Sequence, residues 1–172
     1  QNNRAPLLRL EKGNLLFHSL KQLGYQIVTL SSGFHTTDQT NVDRKIQPGV
    51  VNSLLHQVLM NFHVPLLRPY FSEMLYTIQR ERIIRTLQLL SKPLRANPQP
   101  LFVFAHLVSP HPPFIFNRDG TPRQNSKDFS FADGDEYGIR SDYAAGYVEQ
   151  LQFLNREILN VIDAILKDSG EP

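Results

Sequence analysis

Two histidines stand close together in a stretch that is otherwise apolar and rich in proline. The stretch is residues 101–114, LFVFAHLVSPHPPF, and the histidines are His106 and His111. An imidazole changes its charge near neutral pH and can stabilise negative charge that develops on an oxygen atom. The pair is therefore the first place in this chain to look for chemistry, and its position depends on how residues 101–107 fold.

The run from Leu101 to Leu107 is apolar, contains two phenylalanines and is too short for a typical helix. It predicts a strand buried on both faces, with His106 inside it. Three prolines within residues 110–113 end the strand, because each lacks an N–H and fixes φ. His111 then lies in a stiff turn at the carboxyl end of the strand, which is where open α/β sheets bind ligands.

The rest of the chain supplies the elements of a layered domain. Apolar spacing predicts a helix over 9–23, and a second strand follows at 26–30 and ends in Ser31-Ser32-Gly33. Residues 33–48 are polar and read as a loop, and further helices are predicted over 49–62 and 71–91. A long irregular loop over 115–141 precedes the clearest helix, whose Ser141 is a candidate N-cap. We expect an α/β fold with a mostly parallel sheet flanked by helices, in which strands 26–30 and 101–107 are neighbours.

Composition restricts the function. The 172 residues, 41% of them hydrophobic, suit one domain, and the absence of cysteine excludes disulfides and thiolate metal sites. A net charge of +2 without a basic stripe argues against nucleic acid as a partner. No apolar stretch approaches the roughly 20 residues that cross a bilayer. The ends of the sequence suggest a fragment of a longer protein.

Two segments together resemble a known family. FVFAHLVSPHPPFIFNRDG, followed by DYAAGYVEQLQFLNREILNVIDAIL, is similar to sulfatase-like hydrolase/transferase proteins of the alkaline-phosphatase superfamily. The closest likeness is to bacterial membrane-anchored members distantly related to lipoteichoic-acid synthases and phosphoglycerol transferases. LKQLGYQIVTLSSGF matches the helix–strand unit of the same group. The resemblance implies that residues 1–172 are an internal fragment of one sulfatase-like, partial alkaline-phosphatase-like domain.

The resemblance also implies what the chain lacks. Family members carry a Thr, Ser or formylglycine nucleophile, an acidic metal ligand after the first strand and a later Asp-His pair, and none of these motifs is found here. The parent protein is expected to bind a divalent metal (Mn, Zn, Mg or Ca), whereas this chain holds no catalytic residue, metal ligand or cofactor. By resemblance the parent acts on the extracytoplasmic side of a bacterial membrane, reached only through segments outside this chain. The isolated chain is expected to be inactive.

By the same resemblance, His111 points at the phosphate or sulfate group that is transferred. His106 is the second candidate substrate-binding residue, with a buried structural histidine as its alternative. His35, in the loop after 26–30, could face the same cleft. Arg118 and Arg140 flank the long loop and could pair with an anionic substrate.

Other charged groups receive a plainer interpretation. Asp133, Asp135 and Glu136 lack the spacing of a calcium loop and indicate a solvated turn. Arg80, Arg82 and Arg85 are interpreted as the solvated face of their helix.

Two functions stay open at this point. The first is part of a phosphate- or sulfate-ester hydrolase or phosphoglycerol-type transferase that acts on envelope or polysaccharide substrates. The second is a non-catalytic α/β module that binds an anionic glycan or a partner domain.

Overall fold

The computed structural model describes residues 14–34, 37–39, 41–49, 68–92, 94, 99–125, 127–131 and 140–169. Three helices and three strands lie in these ranges. In chain order they are α1 (Leu15–Gln22), β1 (Gln26–Leu30), β2 (Arg44–Ile46), α2 (Arg68–Leu90), β3 (Leu101–Ala105) and α3 (Arg140–Ser169). The helix predicted over 49–62 falls outside the described residues.

The three strands form a parallel sheet in the order β2-β1-β3. β1 and β3 pair along their full length, from Gln26 opposite Leu101 to Leu30 opposite Ala105. β1 is central and is buried from Ile27 to Leu30. The predicted α/β fold and the parallel pairing of these two strands are both confirmed.

Three expectations about the strands were wrong. β3 is half-buried at all five positions instead of buried on both faces, because it lies at the edge of the described sheet. It also ends at Ala105, level with the last residue of β1, so His106 follows the strand. The supposed loop 33–48 contains β2, whose Arg-Lys-Ile sequence lacks the apolar run that predicts a strand.

The start of β1 is held by a carboxylate. Asp43 Oδ2 accepts a hydrogen bond from the Ile27 backbone N–H at 2.7 Å, and Asp43 Oδ1 lies 3.0 Å from Lys21 Nζ on α1. The hydrogen bond from Ile27, assisted by Lys21, lowers the pKa of Asp43 below its ordinary value. This contact joins α1, β1 and the approach to β2 at the amino end of the sheet.

The main apolar core lies between α2, α3 and the segment that follows the His111 turn. Its buried members are Leu75, Tyr76, Ile83, Leu87, Ile115, Phe116, Phe129, Phe153, Leu154 and Val161. No helix in the described part of the chain is long and apolar enough to span a membrane.

The arginines of α2 correct a further expectation. Arg80 and Arg82 are buried, with 9% and 3% of their surfaces exposed, and only Arg85 of the three is exposed. Arg82 falls on the same face as Leu75, Gln79 and Thr86, at the three- and four-residue spacing that lines one side of a helix. Residue polarity suggested a solvated face, but helical spacing places this arginine toward the sheet.

A hydroxyl in the centre of the sheet gives a test of the packing. Thr29 is buried in β1, and its Oγ1 makes no hydrogen bond to any residue that the structure describes. Thr29→Val should raise the free energy of unfolding by about 1 kcal/mol, because a desolvated and unpaired hydroxyl is replaced by a methyl group of similar size. Urea denaturation measures the change.

The control is the same substitution at Thr86, a buried threonine whose hydroxyl makes a hydrogen bond. Thr86 Oγ1 donates to the Arg82 carbonyl at 2.8 Å. Thr86→Val should therefore lower the free energy of unfolding by about 1 kcal/mol. Shifts of the same sign in both variants would contradict the assignment of Thr29 as unpaired.

Candidate functional site

The polar residues of the site come directly after two neighbouring strands. Ser31 and Ser32 follow β1, and His106 follows β3. Because the strands are parallel and end at the paired residues Leu30 and Ala105, these side chains emerge at the same edge of the sheet. The in-register pairing thus builds the site at the carboxyl edge, where open α/β sheets bind ligands.

A chain of hydroxyl groups holds His106. Its Nδ1 lies 3.0 Å from Thr37 Oγ1, and Thr37 Oγ1 lies 2.9 Å from Ser32 Oγ. Thr37 Oγ1 also donates to the Phe34 carbonyl at 3.1 Å, while the Phe34 N–H donates to Ser32 Oγ at 3.0 Å. His106 is half-buried directly after β3, and its Nδ1 is oriented by Thr37.

A charged group adjoins these hydroxyls. Asp38 accepts from Ser31 Oγ at 2.8 Å and pairs with Lys45 Nζ of β2 at 2.9 Å. Burial lowers the pKa of Arg82, and the charge of Asp38 opposes that effect. Asp38 is therefore paired directly with Lys45 and also acts electrostatically on Arg82, so both cations are influenced by one carboxylate beside the hydroxyl chain.

Gly33 lets Arg82 reach this edge. The glycine has φ +78°, and a Cβ built on it would lie 1.8 Å from Arg82 Nη1. A side chain at this position would displace the guanidinium as well as strain the backbone. The Ser31-Ser32-Gly33 turn is thus shaped around a buried arginine that lies about 50 residues further along the chain.

His111 lies on the far side of the turn that follows β3. Its imidazole is exposed, whereas residues 112–116 are all buried. The contact between His111 Nδ1 and the Pro112 carbonyl has a fixed direction, because a carbonyl oxygen can only accept. His106 is held by the hydroxyl chain and His111 by its own turn, so different parts of the structure orient the two candidates.

Helix α3 fixes the buried half of this turn. Gln150 is fully buried, and its Oε1 accepts from the backbone N–H of Ile115 at 2.7 Å and of Phe116 at 3.2 Å. One helical turn earlier, Gly146 leaves room for Phe114, since a Cβ there would lie 2.3 Å from the Phe114 ring. The Phe114 ring also meets Tyr143 edge to face at 5.2 Å. Three successive turns of α3 therefore position the segment that carries His111.

The remaining sequence candidates are less informative. His35 and the acidic residues 133–136 lie outside the described residues, as does the side chain of Arg140. Arg118 is exposed, and its carbonyl accepts from Arg156 Nη1 at 3.1 Å. Within the described ranges, no side-chain contact links Arg118 to the carboxyl edge.

Several residues of the site escaped sequence analysis. The segment interpreted as a loop contains Thr37, Asp38 and Lys45, and the helix face interpreted as solvated contains Arg82. Gln150 lies among the apolar residues of α3, and nothing in its local sequence distinguishes it. The cluster of hydroxyl residues after β1 was the one signal that could have pointed to the network.

The described residues do not fit a divalent metal. No three His, Asp or Glu side chains converge within the described ranges. Asp38 is the carboxylate of the network, and it already pairs with Lys45 and Ser31. Hydroxyls, imidazole and cationic nitrogens suit an oxyanion better than a hard cation.

No protein-family model, curated protein or solved structure matches this chain. The likeness to sulfatase-like proteins therefore stays a prediction from the residues quoted above.

Two glycines offer a matched test of the Arg82 contact. Gly33 and Gly24 have similar positive φ values, +78° and +85°, but a Cβ on Gly24 meets nothing within 4 Å. Both alanine variants incur the strain of the left-handed conformation, whereas Gly33→Ala alone collides with the guanidinium. Gly33→Ala should therefore lower the free energy of unfolding by about 1–3 kcal/mol more than Gly24→Ala, as measured in urea. Equal losses would show that Arg82 does not lie against Gly33.

A second pair tests the role of Gln150. Gln150→Leu leaves the Ile115 and Phe116 N–H groups buried without an acceptor and should cost on the order of 2–4 kcal/mol in unfolding free energy. Gln152, two residues along α3 and exposed, is the matched control, and Gln152→Leu should change stability by less than about 0.5 kcal/mol. Similar urea midpoints for the two variants would contradict the role of Gln150 as the acceptor for these two N–H groups.

Proposed function

We propose that this chain forms the substrate side of a sulfatase-like phosphate- or sulfate-ester hydrolase or phosphoglycerol-type transferase. The observation that carries the proposal is the carboxyl edge of β1 and β3, where hydroxyls, an oriented imidazole and two cations meet. The group bound there is a tetrahedral oxyanion ester, and an extracytoplasmic envelope or polysaccharide component supplies the rest of the substrate.

Each part of the edge has a task in that function. The positive field of Lys45 and Arg82, only partly offset by Asp38, draws a dianionic group toward the sheet. Ser31 and Ser32 provide short polar side chains that can turn from their present partners to the anion oxygens. His111 is exposed in the turn that follows β3, and in this proposal it supplies a further donor to the anion.

The charge state of His111 determines whether its Nε2 accepts or donates a hydrogen bond. Its Nδ1–H is directed to the Pro112 carbonyl, so a neutral ring carries a lone pair on Nε2. Only the imidazolium has an N–H at Nε2, and that form donates to an anion with the added strength of a charged donor. Anion binding through His111 should therefore strengthen as the ring is protonated.

Attack on the ester requires groups from elsewhere in the parent protein. The nucleophile and the divalent metal belong to that remainder, together with any membrane segment. Without a nucleophile or metal, neither attack nor charge neutralisation is available to the isolated chain, which should bind an oxyanion without turning over its esters.

Sulfate titration tests the binding role directly. Sulfate keeps its charge at about pH 5.5 and at about pH 8.5, so any difference in its affinity between these conditions reports on the protein. Sulfate should bind more tightly at the lower pH and should shift amide NMR signals of residues 31–34, 37–38 and 106–111. His111→Ala should weaken binding at the lower pH by roughly tenfold and flatten its pH dependence.

His18 supplies the control. It is an exposed histidine of α1 whose Nε2 lies 3.0 Å from Gln22 Nε2, so His18→Ala should leave the affinity unchanged. Equal losses in both variants, or shifted signals away from the carboxyl edge, would contradict the proposal. Failure of free sulfate to bind would favour the alternative glycan-binding module, which needs a longer ligand.

A further inference from the structure

The hydroxyl chain around His106 restricts where protons can lie. Ser32 Oγ accepts from the Phe34 N–H, so its own proton is available for Thr37 Oγ1. The single proton of Thr37 is directed to the Phe34 carbonyl at 3.1 Å, which is shorter than the 3.4 Å that separates Ser32 Oγ from the same carbonyl. Thr37 then has one position left, a lone pair, and it faces His106 Nδ1.

A lone pair on Thr37 requires a proton on His106 Nδ1. The neutral imidazole carries one proton, so Nε2 is the unprotonated nitrogen. Among the described residues Nδ1 of His106 has Thr37 as its partner and Nε2 has none. The ring is half-buried at the carboxyl edge, next to the end of β1.

We propose that His106 is a proton-transfer residue and that Thr37 is the positioning residue that holds it as the Nδ1–H tautomer. His106 Nε2 accepts the proton of a substrate hydroxyl, the acceptor water or alcohol of the ester transfer. This inference rests on the proposed function for its substrate, but the tautomer does not depend on whether an anion binds.

The step balances without an added reagent. The O–H bond of the acceptor breaks, its proton joins Nε2, and its oxygen forms the new bond to phosphorus or sulfur. The bond to the leaving oxygen breaks, and the imidazolium returns one proton to that oxygen. Thr37 Oγ1 accepts from Nδ1–H throughout, which stabilises the imidazolium that forms.

Nitrogen-15 NMR of the histidine rings in the 172-residue chain tests the tautomer. At about pH 8.5, above the ordinary imidazole range, His106 should show a protonated Nδ1 and an unprotonated Nε2. Thr37→Val should shift the ring toward the Nε2–H form that free imidazoles favour. Thr37→Ser, which keeps the hydroxyl, should restore the wild-type spectrum. Thr29→Val, which removes an unpaired threonine hydroxyl nearby on β1, should leave it unchanged.

A pair of anions tests proton acceptance. At the same pH, phosphate and sulfate are both tetrahedral dianions, but only the phosphate dianion (HPO4²⁻) carries an O–H that can donate to His106 Nε2. Phosphate should therefore bind about three- to tenfold more tightly than sulfate, the range that one net hydrogen bond supplies. Phosphate should also shift the Nε2 signal of His106 by more than sulfate does. In Thr37→Val the ratio of phosphate affinity to sulfate affinity should fall to near unity, while sulfate still binds.

The outcomes separate this inference from the proposed function. An Nε2–H tautomer in the wild-type chain, or an equal response of His106 to the two anions, overturns the role of His106 even when sulfate binds. Absence of binding by either anion contradicts the oxyanion site, and with it the proton acceptance that needs a bound substrate. The tautomer spectrum still decides the role of Thr37.

Discussion

The site depends on the register between β1 and β3. Gln26 pairs with Leu101 and Leu30 with Ala105, so the two strands end together. A shift of one residue would turn the side chains of β1 to the opposite face and would separate the Ser31-Ser32 turn from His106. Parallel pairing also requires a long connection, and the polypeptide between β1 and β3 contains the residues that complete the edge, including Thr37, Lys45 and Arg82.

The long helix α3 performs the complementary task for the His111 turn. Proline fixes φ and so removes much of the local freedom, but it cannot decide where the turn lies on the domain. Tyr143, Gly146 and Gln150 decide this through a ring contact, a missing Cβ and an acceptor for two backbone N–H groups. A turn fixed to a long helix in this way gives the exposed imidazole of His111 a defined position.

Local sequence patterns predicted the parts of this fold that local patterns control. The apolar runs 26–30 and 101–107 predicted the two parallel strands, although the second strand ends at Ala105. The three- and four-residue spacing of apolar residues predicted α3. β2 was missed because Arg44, Lys45 and Ile46 form a strand through pairing with β1 and not through their own hydrophobicity. The hydrogen bond from Ile115 to Gln150 spans 35 residues, and no local pattern carries such information. The burial of Arg82 was missed for a related reason. The charge that offsets part of its burial cost is Asp38, which lies more than 40 residues earlier in the chain.

Arg82 places a buried positive charge beside the Ser31-Ser32-Gly33 turn. Burial makes the guanidinium costly, as the lowering of its pKa indicates, and the charge of Asp38 offsets only part of that cost. Asp38 also pairs with Lys45 and accepts a hydrogen bond from the Ser31 hydroxyl. The same carboxylate therefore acts on both Lys45 and Arg82. A phosphate or sulfate dianion bound at this edge, as proposed above, would be attracted to Arg82 and Lys45 and would offset part of the cost of burying Arg82.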